Sequence, residues 1–332
     1  MIVVHVEPLI RPARRATGRP ARPRDRRPRP SIVALGDLVV DIVASAGEPL
    51  ARASDAAGTI VFRQGGSAAN TARWVARLGG RAVFVGAVGR DDWGRRLRAS
   101  LEEAGVQVRV VPRARPTARI VVIVEPGGER TFVTDRGAAT LLGAQDLRAT
   151  WFRGADALHL PAYSLLSEPL GAAARRAVEL SRAAGSVVSV DLASRRPLMA
   201  RGRRTAWETI MAVAPDLLFA NDAEAAALTG PRGDIRLLEL APIVVVKEGS
   251  AGCRIVARTT GPEPARLAVA TSPVRAADTT GAGDAFDAGF LVSWLAAPPE
   301  TRGDLAVLRW AALAGHRAAG RLLSGRREGG LA

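Results

Sequence analysis

The chain has 332 residues and 48% apolar content, enough for one large α/β domain or two smaller ones around a substantial core. No apolar run approaches the roughly 20 residues that span a bilayer, and residues 1–10 lack a signal-peptide layout, so no membrane association is expected and the expected compartment is the cytoplasm. Cys253 is the only cysteine and His5, His159 and His316 are scattered, which excludes intrachain disulfides and thiolate clusters and argues against a zinc hydrolase.

The formal net charge of +15 raises the question of nucleic acid, but its distribution points elsewhere. Residues 1–30 carry nine Arg against only Glu7 and Asp25, and Lys247 is the sole lysine in the chain. An Arg-for-Lys skew of this kind reads as a compositional habit, with the remaining Arg on polar helix faces. Nucleic-acid binding is therefore not the expected function. Residues 11–30 alternate Arg, Pro and Ala without apolar periodicity, so 1–30 is expected to be a disordered extension and 326–332 a flexible tail.

From residue 31 the pattern becomes that of a folded domain. Residues 31–35 form a short buried-strand pattern ending in Gly36-Asp37, and Val39, Val40, Ile42 and Val43 then surround Asp41. Ligands in open α/β sheets bind outside the carboxyl ends of strands. Asp41 in an apolar run is costly without a partner, and a ligand hydroxyl would serve; Asp37 also suits a turn or cap. A strand at 58–62 leads into Gly65-Gly66-Ser67-Ala68-Ala69-Asn70, where Ser67 is expected to cap a helix stopped by Gly79-Gly80. Asn70, one turn in, needs a partner for its amide.

Residues 82–88 read as a strand and 91–104 as an amphipathic helix carrying Trp93, Leu97 and Leu101 on one face. Three β segments follow without intervening helices, at 106–111, 119–125 and 130–134, the last two joined by Pro126-Gly127-Gly128 in a hairpin. That break in β-α alternation suggests a small projecting sheet, a lid. Regular alternation then resumes, as expected for a mostly parallel sheet with helices on both faces. His159 ends an apolar run and reads as a strand-end or core histidine. The strand at 216–220 ends in Asn221-Asp222-Ala223-Glu224, which suits either a capping box or the holding of phosphate and hydrated Mg²⁺. A strand at 243–246 enters the Gly turn Lys247-Glu248-Gly249-Ser250-Ala251-Gly252 and a hairpin strand at 253–257.

The stretch with most chemistry is Asp278-Thr279-Thr280-Gly281-Ala282-Gly283-Asp284, running into the helical pattern through Phe290, Leu291 and Trp294. Small residues let the backbone approach a ligand, and a helix start presents unpaired N–H groups to an anion. Asp284 in the first turn stands where it could take a proton from an attacking hydroxyl. A final Ala-rich helix is expected at 305–323.

In this order the motifs Gly65-Gly66-Ser67-Ala68-Ala69-Asn70, Asn221-x-x-Glu224 and Asp278 through Asp284 resemble those of the PfkB carbohydrate kinases, also called ribokinase-like, over roughly residues 31–325. That resemblance implies a three-layer αβα, doubly wound sheet with a small β-sheet lid from about 44–63 and 106–134. It also implies transfer of the ATP γ-phosphate to a hydroxyl of a small sugar or polyol. Asp284 would then be the base and Gly281, Ala282 and Gly283 the anion hole. Asp37, Asp41, Gly65, Gly66 and Asn70 would hold the acceptor. Asn221, Glu224, Lys247, Gly249, Gly252 and Thr280 would face ATP and its phosphates, with Glu224 toward Mg²⁺ through water. Asp278 would belong to a loop that binds a monovalent cation such as K⁺ in many members. Ser67 stands where sugar-phosphate kinases and ribokinases often carry Lys, and Val39 where ribokinases carry Asn. The lid offers few aromatics, Phe62 and Phe132, to stack a purine, which leaves an adenosine-type acceptor as an alternative. Arg119 or Arg136 could face a sugar acid, although each reads first as a solvated surface residue. A catalytically idle binding relative is the non-enzyme alternative. An exposed lid edge could pair in a homodimer.

Overall fold

The computed structural model describes residues 29–50, 53–127, 129–230, 233–259, 261–274, 276 and 278–325. The expectations for residues 1–28 and for the tail at 326–332 lie outside this set. Among the described residues the strands form a nine-stranded and a four-stranded sheet. In chain order the large sheet receives β1 (Ser31–Leu35), β4 (Arg81–Gly89), β5 (Gln107–Arg113), β8 (Ala157–Pro161), β9 (Val187–Asp191), β10 (Leu217–Asn221), β11 (Ile243–Lys247), β12 (Cys253–Ala257) and β13 (Ala265–Val269). Its spatial order is β13-β12-β11-β10-β9-β8-β1-β4-β5. The seven strands from β11 to β5 are parallel, and β12 and β13 extend the edge antiparallel.

The period of two in the apolar runs sorts side chains to two faces. Ile32, Ala34 and Phe219 enter one buried cluster, while Val33, Leu35, Leu218 and Ala220 enter the other. The first is covered by α1 (Ser67–Arg77), α2 (Asp92–Glu103), α7 (Ala282–Leu295) and α8 (Leu305–Ser324). The second is covered by α3 (Leu170–Ala183), α4 (Arg195–Met199), α5 (Arg203–Met211) and α6 (Asp222–Thr229). The result is a three-layer αβα domain.

The small sheet, in the order β3-β2-β6-β7, comprises β2 (Val39–Ala46), β3 (Gly58–Gly65), β6 (Ala118–Val124) and β7 (Arg130–Asp135). The expected hairpin pairing is present, with β6 and β7 antiparallel; position 128 of its turn lies outside the described residues. Two assignments change. The segment starting at 106 belongs to the body, because β5 pairs in parallel with β4 after a crossover through α2 and buries Val108 there. The lid therefore begins at Val39 and omits residues 107–113. Ser67 is also not the helix cap. Gly66 holds that position with φ of 98°, and Ser67 is the first helical residue.

Candidate active site

The small-residue turn folds as its composition demands. Gly281 adopts a left-handed conformation with φ of 80° and starts α7, so Asp284 falls in the first turn. The Asp284 Oδ2 accepts a hydrogen bond from Asn70 Nδ2 at 2.9 Å, joining two stretches 214 residues apart in the chain. Its carboxyl is partly accessible at its surface yet densely surrounded, and burial holds it above the ordinary carboxylate value against the Asn70 amide. The Ser67 hydroxyl lies close enough to favour the charge, although its position makes no hydrogen bond of good geometry. The N–H groups of Gly283 and Asp284 have no carbonyl four residues back within the helix. The Ala282 N–H, expected in the anion hole, instead donates to the Thr279 carbonyl at 3.1 Å, so an anion there would compete with that turn.

Lys247 ends β11 beside this helix start; a Cβ placed on Gly283 would stand 3.4 Å from its Nζ. The ammonium donates to Asp191 Oδ1 at 3.1 Å and to both oxygens of Asp287 at 3.0 and 3.1 Å. Burial opposes the charge, but Asp191 and Asp287 together hold Lys247 protonated, well above its ordinary value. Asp287 is fully buried one turn beyond Asp284, and burial pushes it up despite Lys247. Asn221 and Glu224 form the capping box of α6: Glu224 N–H donates to Asn221 Oδ1, and Asn221 N–H to Glu224 Oε2, both at 2.9 Å. Glu224 is nonetheless buried, and burial followed by the nearby Asp191 pushes its carboxyl up to about 7. A cation placed beside the two carboxylates would relieve their mutual repulsion and favour ionisation of both.

A cavity of about 420 Å³ opens beside the turn, lined by Lys247, Gly249, Gly252, Ala282, Gly283 and Phe286 among others. Gly249 and Gly252 have φ of 59° and 112°. Asn221, Glu224 and Thr280 do not line this cavity.

On the lid side, Asp37 is buried and held by Arg136, whose Nε and Nη2 donate to its two oxygens at 2.7 and 2.8 Å. Arg136, which the sequence pattern puts at the solvated surface, stacks 5.0 Å over the Tyr163 ring instead. The Tyr163 hydroxyl accepts the Ser67 N–H at 3.2 Å. The Asp41 carboxylate lies over Gly65, where a Cβ would collide with it, and a Cβ on Gly66 would collide with the Asp37 carbonyl. The paired glycines thus let the lid strand and the α1 start close around both aspartates. Phe62 packs against Trp93 with centroids 5.0 Å apart, so its ring is already committed. Asp278, the expected cation ligand, has Arg63 on Oδ2 at 3.1 Å and Arg130 on Oδ1 at 2.9 Å. His159 is a core residue, its Nδ1 3.2 Å from Ser189 Oγ, and burial lowers it to about 4.

Arg136, Tyr163, Asp191 and Asp287 were not singled out as site residues by the motifs. Signals existed for two of them. Asp191 ends a strand at the carboxyl edge, and Asp287 is a charge inside the apolar pattern of α7, costly without a partner.

An αβα body with a β lid, a helix start carrying a carboxylate, and a glycine-rich cavity beside a buried lysine together define a phosphotransferase of the small-molecule kinase class. The model of the pfkB family of carbohydrate kinases matches residues 29–320, and the chain belongs to that family. It is 34% identical over 268 residues to fructokinase-1 of Oryza sativa subsp. japonica, covering 77% of this chain and 80% of the relative. The adenosine kinase of Sinorhizobium meliloti superposes with a TM-score of 0.75 at 27% identity, covering 92% of this chain and 98% of the other. The fructokinase of Vibrio cholerae O395, solved with fructose, ADP and calcium ion, superposes at 0.72 with 25% identity over 91% and 94%.

Proposed function

We propose that this enzyme phosphorylates a ketohexose-type sugar, fructose first, with ATP as donor. The observation that carries the reading is the convergence of Asp284, Asn70 and Lys247 at the start of α7, next to the 420 Å³ cavity. ATP lies with its phosphates toward Gly283 and Lys247, and Gly249 and Gly252 bring backbone close to the nucleotide. The sugar lies under the lid against Asp41, Gly65, Gly66 and Asn70. Asp284 accepts the proton of the attacking hydroxyl, whose oxygen bonds the γ-phosphorus as the bond to the bridging oxygen of ADP breaks. The N–H groups of Gly281 and Gly283 and the Lys247 ammonium hold the charge that spreads over the transferred oxygens, and the Ala282 N–H joins them only on leaving the Thr279 carbonyl. Asn70 orients Asp284 and, as a donor, favours its ionised form.

Glu224 and Asp191 would hold Mg²⁺ through water; the ion, when bound, neutralises developing phosphate charge. Arg136 already spends two donors on Asp37, which argues against a carboxylate-bearing acceptor. A nucleoside acceptor is the second reading, favoured by the superposition on adenosine kinase and opposed by the commitment of Phe62 to Trp93. A homodimer through the lid is favoured by exposed Ile60, Val61, Phe132 and Val133 on its two edge strands. We assign the enzyme to the cytoplasm, where its ATP is available.

The test is an ATP-consumption screen over ketohexoses, aldoses, polyols, sugar acids and nucleosides. Fructose is expected to give the highest kcat/KM, and Asp284→Asn to lower kcat at least about 100-fold with ATP affinity nearly unchanged. Near-normal turnover by that variant would remove Asp284 as the base. Faster turnover of adenosine than of any sugar would replace the acceptor.

A further inference from the structure

The lid meets the body at Asp278, immediately before the turn proposed to hold the transferred phosphoryl group. Arg63 Nη1 lies 3.1 Å from Asp278 Oδ2. Arg130 Nη1 lies 2.9 Å from Asp278 Oδ1 and 3.0 Å from Thr280 Oγ1. Thr280 N–H and its hydroxyl also donate to Oδ1, at 3.0 and 2.7 Å. Among the described residues, both carboxylate oxygens therefore carry a guanidinium, two for the one carboxylate.

The origin of the two arginines matters more than their number. Arg63 lies on β3 opposite Asp41, and Arg130 on β7 opposite Val124. Those are the two outer strands of the lid, about 14 Å apart at the usual strand spacing. Asp41 and Val124 belong to neighbouring strands whose pairing aligns Asp41 with Ile120, so the two arginines share a face of the sheet four residues apart along it. A single carboxylate reached from both edges requires the lid to sit down over the turn. Each ion pair is only partly buried, with Arg63, Arg130 and Asp278 side chains 32%, 21% and 30% exposed, so the contact is weak enough to part when substrates enter and leave.

The family resemblance puts a monovalent cation at this loop, and the residues present do not fit one on Asp278. A potassium ion using that carboxylate would have to displace a guanidinium from it. We propose that Arg63 and Arg130 are positioning residues that form a two-armed latch, supplying from the closing lid the positive charge a bound monovalent cation would otherwise supply. The turn from Asp278 to Gly281 is then ordered by lid closure, and turnover proceeds without potassium. This rests on the sugar-kinase reading.

The experiment compares full-length wild type with Arg63→Gln/Arg130→Gln and with Arg130→Lys, each assayed with fructose and MgATP in choline chloride and in potassium chloride. Amide hydrogen exchange is followed in parallel. Wild type is expected to vary less than about twofold between the salts, and the double variant to lose about 10- to 100-fold in kcat, the size of effect of losing charge-assisted bonds. Potassium is expected to restore part of that loss in the double variant alone, and Arg130→Lys to keep most of the wild-type rate. Strong potassium activation of wild type, or an unaltered kcat in the double variant, overturns the latch. If wild type turns over no acceptor at all, the sugar-kinase reading fails, and the exchange data still decide the latch. Joint loss of protection in β3, β7 and residues 279–283 of the double variant supports it; unchanged protection in 279–283 overturns it.

Discussion

The two sheets hold charge in opposite ways. In the body, β1 and β8 are buried along their whole length and β11 along all but its last residue, Lys247. In the lid, β3 is exposed over its first half and β7 along all but its first residue. The body therefore fixes Lys247, Asp191, Asp287 and Glu224 before any substrate arrives, at the cost of desolvating them, which is how preorganised charge acts on a transition state. The lid offers Arg63 and Arg130 only in the closed arrangement, through contacts that water can replace. In the function proposed above, permanent charge would receive the phosphoryl group and conditional charge would control access.

The contrast breaks most visibly at Lys247. Replacing it by Met removes the cation that, among the described residues, bonds Asp287 and Asp191, leaving carboxylates in the interior. A loss of about 3–5 kcal/mol is expected in urea unfolding, as for other broken buried pairs. The double variant Lys247→Met/Asp287→Asn should recover part of it, because the uncompensated charge is then gone. Should Lys247→Met unfold at the wild-type urea midpoint, the buried cluster is not the fixed element described here.

Glu224 gives a smaller effect with a defined sign. Its carboxyl titrates near 7 in the folded chain, against 4.5 ordinarily, so between those values the native state binds a proton that the unfolded state has released. The corresponding stability is fully present below about pH 4.5 and is lost as pH rises through about 7. Glu224→Gln keeps the acceptor the helix cap needs and cannot titrate. Its unfolding free energy should be flatter over that window, by up to about 3 kcal/mol. An identical slope in both proteins, measured by urea titration at each pH, would show that Glu224 is not the titrating group.

What was legible before the structure follows the range of the interactions. The αβα order, the lid hairpin and the helix start at Gly281 come from local periodicity and turn chemistry, and all are present. Asp284 stood out because its cue, the small-residue turn, is adjacent to it. Arg136 did not, because its partner Asp37 is 99 residues away, and neither did the bond between Asp287 and Lys247 across 40 residues. The same limit misplaced residues 107–113: alternation identifies a strand but not the sheet it joins. The capping box at Asn221 and Glu224 could be read two ways for a related reason. A cap is visible locally, whereas the burial of Glu224 and its nearness to Asp191 are tertiary facts.

The mildest prediction tests whether the lid belongs to the stability of the body at all. Phe132 and Val133 are 55% and 61% exposed on the outer strand β7, and as neighbours in a strand they point to opposite faces. Exchanging both for Ser and Thr removes no packed core contact, so the monomer should unfold within about 0.5 kcal/mol of wild type. The same change should weaken the proposed lid-to-lid dimer, read as a shift toward monomer mass by sedimentation equilibrium at fixed concentration. If the variant stays dimeric, the partner contacts lie elsewhere. If it loses several kcal/mol as a monomer, the lid is part of the cooperative fold, and the division between a permanent body and a conditional lid is drawn in the wrong place.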